Sequence, residues 1–152
     1  MGKLYVVATP IGNLEDISLR ALRILNEVKL IVAEDTRRTK KILSHYRIHP
    51  NKLISYNRHN SAKRIPSILK TLEEMDVAMV SDAGSPVISD PGYELVKEAG
   101  LRGFTCIPIP GASAVPTALS VASFPGDSFL FLGFLPRSKR MRQSLLQPIA
   151  AL

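Results

Sequence analysis

Residues 77–92, VAMVSDAGSPVISDPG, join a short apolar run to a loop that is rich in glycine, serine and proline. The run Val77–Val80 is typical of a strand that is buried on both faces. The loop after it supplies tight turns, amides and hydroxyls, while Asp82 and Asp90 add carboxylates that accept hydrogen bonds. In an open α/β sheet, ligands bind beyond the carboxyl ends of the strands. This stretch therefore predicts a ligand-binding loop, with an ordinary Gly/Pro connection as the alternative.

Strand-like and helix-like segments alternate on both sides of this stretch. Apolar runs predict strands at residues 4–8, 30–33, 53–56, 77–80 and 104–109. Helices are predicted at residues 18–26, 36–45, 61–75, 92–99 and 112–122. Thr36 is expected to cap the second helix and Gly100 to end the fourth, and Pro66 is unfavourable outside the first turn of the third. The alternation predicts an α/β fold with a mostly parallel sheet flanked by helices.

The alternation of strands and helices is interrupted at residues 123–127, SFPGD, and a second part of the chain follows. We predict an α/β domain at residues 1–124, and at residues 125–152 a linker followed by the first strand and helix of an incomplete second domain. The strand is predicted at residues 129–134, and a basic helix begins after it. A lone strand and helix cannot bury their own apolar faces, so this part is expected to pack on the first domain, on another chain or on a missing continuation.

Composition excludes several classes of protein. With 45% hydrophobic and 22% charged residues, the 152-residue chain is expected to fold around one core. It contains no apolar run of membrane-spanning length and no signal peptide, which predicts a soluble, cytoplasmic protein with no membrane partner. Cys106 lies in an apolar run, so an inert, buried thiol is favoured over a nucleophile. No Cys/His cluster has metal-ligand spacing, and no metal is predicted.

The net charge of +7 is concentrated in residues 37–72, which contain ten Lys or Arg residues and all three histidines but no Asp or Glu. Such a stretch can bind a polyanion, with a solvated surface as the alternative. Tyr46 and Tyr56 are interleaved with these charges and can stack on bases. RNA contacts are predicted for Arg37, Arg38, Lys40 and Arg58. A second basic cluster lies at residues 137–142.

Two further loops resemble the one at residues 81–92. TPIGNL at residues 9–14 and PIPGASA at residues 108–114 also follow predicted strands. Neither G-x-x-x-x-G-K-[ST] nor G-x-G-x-x-G is present, which weakens kinase, GTPase and dinucleotide-dependent functions. Because all three loops follow strands of one sheet, we expect them to converge on a pocket.

Four ordered motifs resemble the tetrapyrrole methylase superfamily, whose members are S-adenosylmethionine-dependent methyltransferases without the usual Rossmann fingerprint. The motifs are VATPIGNLEDISLRA at 7–21, LIVAEDTRRTKKIL at 30–43, VAMVSDAGSPVISDPG at 77–92 and IPIPGASAVPTAL at 107–119. They are similar to the ribosomal RNA branch, which methylates a cytidine 2'-hydroxyl of 16S ribosomal RNA. The resemblance covers residues 3–142.

The resemblance implies a two-domain enzyme that binds S-adenosylmethionine between its domains, forms a homodimer and acts on 16S ribosomal RNA or the small ribosomal subunit. The cofactor-facing residues it implies are Pro10, Ser85, Ile88, Ser113 and Ala114. Many relatives have an Asp of a Gly-Asp-Pro motif where this chain has Ser85, which favours the ribosomal RNA branch and leaves the carboxylate role to Asp82 or to a backbone contact. The family's second domain normally continues past Leu152, so weak or no cofactor binding is expected of this chain.

The reaction needs an aligned hydroxyl and a group that accepts its proton. Glu34 and Asp35 follow the second predicted strand and are the predicted catalytic pair; the alternative is two carboxylates balanced by arginines at a helix N-terminus. His59 is another possible base. Two other functions stay open, namely methylation of a tetrapyrrole or other small molecule, and a non-catalytic RNA-binding module.

Overall fold

The computed structural model describes residues 1–151, in which strands and helices alternate. The strands are β1 Lys3–Val7, β2 Leu30–Ala33, β3 Lys52–Ser55, β4 Val77–Val80 and β5 Thr105–Ile109. The helices are α1 Leu19–Glu27, α2 Thr36–His45, α3 Ser61–Leu72, α4 Tyr93–Leu101, α5 Ala114–Ser120 and α6 Lys139–Leu146, with 3₁₀ turns at Leu14–Asp16 and Ile149–Ala151. No helix among these residues is long and apolar enough to cross a membrane.

The five strands form one parallel sheet in the order β3-β2-β4-β1-β5. Strand β4 is central, and its Val77 aligns with Leu4 on one side and Leu30 on the other. Parallel pairing requires a crossover between neighbouring strands, and the helices supply it. The predicted α/β fold with a mostly parallel, helix-flanked sheet is confirmed.

Side chains of β4 alternate between two buried clusters, one on each face of the sheet. Ala78 and Val80 pack with residues of α1 and α2, whereas Val77 and Met79 pack with residues of α3 and α4. All four β4 residues are buried. Burial on both faces explains why this strand reads as a continuous apolar run rather than an alternating one.

Two local predictions are wrong in detail, and Pro66 occupies a position that is unfavourable for proline. Asp35, not Thr36, caps α2, because its carboxylate accepts the Arg37 amide. Gly100 lies inside α4, which continues to Leu101. Pro66 lies in the second turn of α3, and the buried side chains of that helix, Ile68, Leu69 and Leu72, offset the hydrogen bond that proline cannot donate.

The predicted strand at residues 129–134 does not form. A strand needs a neighbour for its backbone N–H and C=O groups, and no described strand pairs with this segment. Its side chains are largely exposed, with Phe134 at 88%. The basic helix predicted after it does form, as α6. The division into residues 1–124 and 125–152 stays a prediction, and Leu152 lies outside the described residues.

Candidate cofactor and nucleotide site

The three loops predicted to converge meet at the carboxyl edge of the sheet. Thr9 and Gly84 exchange two backbone hydrogen bonds, at 2.9 and 3.0 Å, and the Thr9 hydroxyl donates to the Ser81 carbonyl at 3.3 Å. The Ala8 amide donates to the Ile109 carbonyl at 3.1 Å, which brings in the third loop. Gly84 has a φ of +76°, a region that suits glycine. The loops after β1, β4 and β5 therefore form one continuous surface.

A first cavity of about 390 Å³ opens on this surface. Four of the predicted cofactor-facing residues line it, namely Ser85, Ile88, Ser113 and Ala114, whereas Pro10 and Asp82 do not. The other lining residues are Ile11, Ala83, Gly84, Ser89, Asp90, Val115, Phe131, Gly133 and Phe134. Sequence reasoning missed the contribution of residues 131–134, because only the folded chain brings that segment over the loop after β4.

The β4 loop around this cavity has an unusual backbone. Val87 and Ser89 have positive φ values of 77° and 63°. A β-branched residue rarely adopts this region, and such conformations cost on the order of 1–3 kcal/mol each. Strain of this kind persists only where surrounding contacts hold it, and here Val87 packs against the core. The strained segment forms part of the first cavity's wall.

Glu34 and Asp82 connect the loops after β2 and β4. The Asp82 amide donates to a Glu34 carboxylate oxygen at 3.3 Å, and the Asp35 amide donates to Asp82 Oδ1 at 3.0 Å. Arg38 adds an ion pair to Asp82 Oδ2 at 3.4 Å. Asp82 therefore has a structural explanation in this network, in contrast to the cofactor contact expected of it.

The two carboxylates of the predicted catalytic pair have different surroundings. Burial raises the pKa of Glu34, and the negative charges of Asp82 and Asp90 add to this effect. Asp35 accepts two side-chain hydrogen bonds and one amide hydrogen bond from Arg37, which lower its pKa from 3.8 to about 2. Neither residue is among those that line the two cavities described here.

A second cavity of about 380 Å³ lies between the N-terminal ends of α3 and α4. Its lining residues are Arg58, Ser61, Asp90, Pro91, Tyr93 and Glu94. Asp90 lines both cavities, so the two cavities adjoin at this residue. Burial raises the pKa of Asp90, and the charge of Asp82 adds to this effect, while Ser81 and Arg58 oppose it. Sequence reasoning named Asp90 only as a hydrogen-bond acceptor.

The acid-free stretch is divided between the two edges of the sheet. Arg37 and Arg38 begin α2 and lie at the carboxyl edge, together with Arg58 after β3. Lys40 is exposed one turn further along α2. Arg47 follows α2, which is about 15 Å long, and therefore lies toward the opposite edge. Only part of the basic stretch faces the candidate site.

The two tyrosines in that stretch differ in their availability for base stacking. Tyr56 is 2% exposed and packs in the core, and its hydroxyl has no hydrogen-bond partner among the described residues. Tyr46 is partly buried and donates its hydroxyl to the Leu14 carbonyl. Burial excludes Tyr56 from stacking on RNA, whereas stacking by Tyr46 stays a prediction. His59 is exposed in the loop after β3 and is absent from the lining of both cavities.

Within residues 1–151 no group of three or more His, Cys, Asp or Glu side chains could hold a metal ion. Burial raises the pKa of the Cys106 thiol, whose nearest polar contact is the Val96 carbonyl at 3.9 Å. Neither observation provides a second chemical centre in this part of the chain.

The chain belongs to the family described as Tetrapyrrole (Corrin/Porphyrin) Methylases, whose profile matches residues 3–151. It is similar to proteins named "Ribosomal RNA small subunit methyltransferase I". The one from Thermotoga maritima is 57% identical, with 95% of this chain and 65% of the relative covered. The one from Halalkalibacterium halodurans is 53% identical, with 96% and 50% covered. The chain thus spans about half to two thirds of the length of these relatives.

Solved structures show the same fold at low sequence identity. A conserved hypothetical protein from Aeropyrum pernix matches with a TM-score of 0.68 at 19% identity, covering 85% of this chain and 45% of that one. Uroporphyrin-III C-methyl transferase from Thermus thermophilus, complexed with S-adenyl homocysteine, matches with a TM-score of 0.59 at 19% identity, covering 86% and 57%. At this identity the likeness defines the fold alone.

Proposed function

We propose that the chain is part of an S-adenosylmethionine-dependent methyltransferase that modifies the 2'-hydroxyl of a cytidine in 16S ribosomal RNA. The observation that carries this proposal is the similarity to ribosomal RNA small subunit methyltransferases, which reaches 57% identity across 95% of the chain. The four motifs that carry the family resemblance contain the loops at the carboxyl edge of the sheet, where α/β proteins bind ligands.

The first cavity fits the proposed cofactor. Its volume of about 390 Å³ lies within the range of small-ligand pockets, roughly 300–1,000 Å³. Ile11, Ile88 and the two phenylalanines provide apolar surface, while Ser85 and Ser113 provide hydroxyls. Gly84 lines the cavity with a φ of +76°, a conformation that favours glycine. When bound, S-adenosylmethionine supplies an activated methyl group on a positively charged sulfur.

The chain's own residues would position the acceptor and its phosphates. Arg37, Arg38, Lys40 and Arg58 carry exposed positive charge at or near the carboxyl edge, which suits RNA phosphates. Glu34 and Asp35 have an orienting role in this proposal: Glu34 holds the β4 loop through Asp82, and Asp35 holds Arg37. The apolar side chains of the first cavity would help to exclude water from the reacting groups once a second domain covers them.

The rest of the protein's organisation is part of the same proposal. Residues 125–152 would belong to a second domain that covers the cofactor, and Phe131 and Phe134 already line the first cavity from that segment. The complete enzyme would act as a homodimer in the cytoplasm, on free 16S ribosomal RNA or on the small ribosomal subunit.

The decisive experiment measures cofactor binding and methyl transfer separately. Calorimetry with S-adenosylmethionine is performed on the 152-residue chain and on a version extended by the second domain. Transfer from a methyl-tritiated donor to 16S ribosomal RNA, with the labelled 2'-hydroxyl identified by digestion, is measured with the extended version. If that version neither binds the donor nor labels the RNA, the proposal is wrong. If it binds the cofactor without labelling the RNA, only the proposed RNA substrate is contradicted.

A double variant tests the RNA contacts. Arg37→Ala with Arg38→Ala should lower RNA affinity while cofactor affinity stays unchanged, because both side chains lie outside the first cavity. The matched control is Arg47→Ala with Lys52→Ala, which removes the same charge from the opposite edge. An equal loss of RNA affinity in the two double variants would indicate that RNA is attracted by the overall positive charge rather than bound at the carboxyl edge.

A further inference from the structure

The second cavity combines groups that suit one nucleotide. Tyr93 is 60% exposed and offers an aromatic face, while Arg58 offers a guanidinium for a phosphate. Glu94 is an exposed carboxylate in the first turn of α4, and carboxylates accept hydrogen bonds from the amino group of cytosine. An aromatic face, a cation and a carboxylate around about 380 Å³ match the base and phosphate of a cytidylate.

Arg58 is held in place without being neutralised. One guanidinium nitrogen donates to the Ser89 carbonyl at 3.3 Å, and no ion pair to a described carboxylate uses the rest of the group. This hydrogen bond also joins the loop after β3 to the loop after β4. The guanidinium therefore keeps donors for a phosphate while its position is determined by the protein.

The second cavity meets the first at Asp90, which lines both. A ligand in the second cavity would lie beside a residue that also borders the proposed cofactor site. No other residue lines both cavities among the residues that the structure describes. The residue that the two cavities share is thus acidic rather than apolar.

We propose that the second cavity is the subsite for the acceptor cytidylate, with Tyr93 stacking on the base, Glu94 selecting cytosine, Arg58 binding a phosphate, and Asp90 contacting the 2'-hydroxyl. This inference rests on the proposed function. In the reaction, the 2'-oxygen forms a bond to the methyl carbon as the carbon–sulfur bond breaks, the electron pair of that bond stays on sulfur, and the hydroxyl proton passes to Asp90. The raised pKa of Asp90 suits a proton acceptor.

Binding of a mononucleotide tests the subsite without methyl transfer. Cytidine 3'-monophosphate is titrated into the isotope-labelled 152-residue chain by NMR, and uridine 3'-monophosphate serves as the comparison. Resonances of the loop after β3 and of the first turn of α4 should shift, with tighter binding of the cytidylate. No saturable binding, or shifts confined to other surfaces, would overturn the proposal.

Variants of exposed residues identify each contact without loss of the fold. Tyr93→Ala should weaken cytidylate binding at least about fivefold, and Tyr93→Phe should restore it, because the stacking face is retained. Glu94→Gln should reduce the preference for cytidine over uridine about fivefold or more, since an amide can serve either base. Arg58→Ala should weaken cytidylate binding, because it removes the proposed phosphate contact. Its control is Arg102→Ala, at the far end of α4, which should leave cytidylate binding unchanged. Unchanged affinity and preference in the Tyr93 and Glu94 variants would overturn the assignment.

Asp90→Asn separates this inference from the proposed function. Cytidylate affinity should change by less than about threefold, whereas methyl transfer by the extended protein should fall about a hundredfold. Full transfer activity in Asp90→Asn would overturn the role of Asp90. Cytidylate binding by a protein that transfers no methyl group would contradict the proposed function and leave the subsite standing.

Discussion

Glu34 and Asp82 hold two loops together, because each carboxylate accepts a backbone amide from the other residue's loop. The Asp82 amide lies 3.3 Å from Glu34 Oε2, and the Asp35 amide lies 3.0 Å from Asp82 Oδ1. The strands before these loops, β2 and β4, are neighbours in the sheet although β3 separates them along the chain. This pair of interactions joins the loops after β2 and β4 at the carboxyl edge of the sheet.

Asp82→Ala should lower the free energy of unfolding by about 1–3 kcal/mol, because the Asp35 amide loses its acceptor and Arg38 its partner. Urea denaturation monitored by circular dichroism measures the change. Asp127→Ala, at an exposed position, is the control and should alter stability by less than about 0.5 kcal/mol. Equal stability of the two variants would contradict a structural role for Asp82.

Arg37→Ala should raise the pKa of Asp35 from about 2 toward 3.8, without reaching 3.8, because the backbone amides at the start of α2 still donate to the carboxylate. With a lowered pKa, Asp35 stabilises the folded state above pH 3.8, and this contribution is lost as the pH falls toward 2. Carboxyl carbon shifts followed by NMR through an acid titration give the value. A pKa that stays near 2 in Arg37→Ala would exclude the guanidinium as the cause.

Glu34→Gln should flatten the pH dependence of stability above pH 4.5. A carboxyl group with a raised pKa binds its proton more tightly in the folded state, so stability falls as the pH rises from 4.5 through the folded pKa. Glutamine removes this titration and keeps an acceptor for the Asp82 amide, so stability at neutral pH should be retained. Urea denaturation across pH 4–8 measures the slope; an unchanged slope would contradict the effect of burial on Glu34.

Tyr56→Phe should leave the protein as stable or up to about 1 kcal/mol more stable, because the buried hydroxyl has no hydrogen-bond partner among the described residues. Tyr46→Phe is the matched comparison and should destabilise by about 1 kcal/mol, since its hydroxyl donates to Leu14. Thermal and urea denaturation measure the stability of the two variants. RNA affinity should stay unchanged in Tyr56→Phe, and a loss would contradict its burial.

Gly84→Ala should lower stability by about 1–2 kcal/mol and weaken cofactor binding, because alanine is strained at a φ of +76°. Gly12→Ala is the control in a neighbouring loop, where a Cβ would meet open space. Urea denaturation measures the change in stability, and calorimetry with S-adenosylhomocysteine on the version extended by the second domain measures the change in cofactor affinity. Wild-type cofactor affinity in Gly84→Ala would contradict the proposal that this loop forms part of the cofactor site.

The sheet is predictable from local sequence because burial on both faces imposes a short apolar run. Leu30–Ala33 and Val77–Val80 match the structure residue for residue, while the β1 and β3 boundaries shift by one residue. The same reasoning fails at residues 129–134, where an equally apolar run has no neighbouring strand and stays irregular. Strand propensity is realised only where another strand completes the hydrogen bonds.

The candidate site is predictable at the level of loops but not of side chains. Ser85, Ile88, Ser113 and Ala114 line the first cavity because their motifs follow adjacent parallel strands. Pro10 is buried beside it instead. Spacing along the chain does not indicate that Asp82 turns toward Asp35 and Arg38.

By itself, the sequence determined the alternation of strands and helices, the presence of an apolar strand before a Gly/Ser/Pro loop, and the concentration of positive charge at residues 37–72. These are local properties, set by hydrophobic periodicity and by residues that favour turns. Only the tertiary structure decided that Glu34 and Asp82 join two loops, that Asp90 lies where two cavities meet, and that the basic stretch divides between opposite edges. The reason is that strand order, not distance along the chain, determines which loops become neighbours.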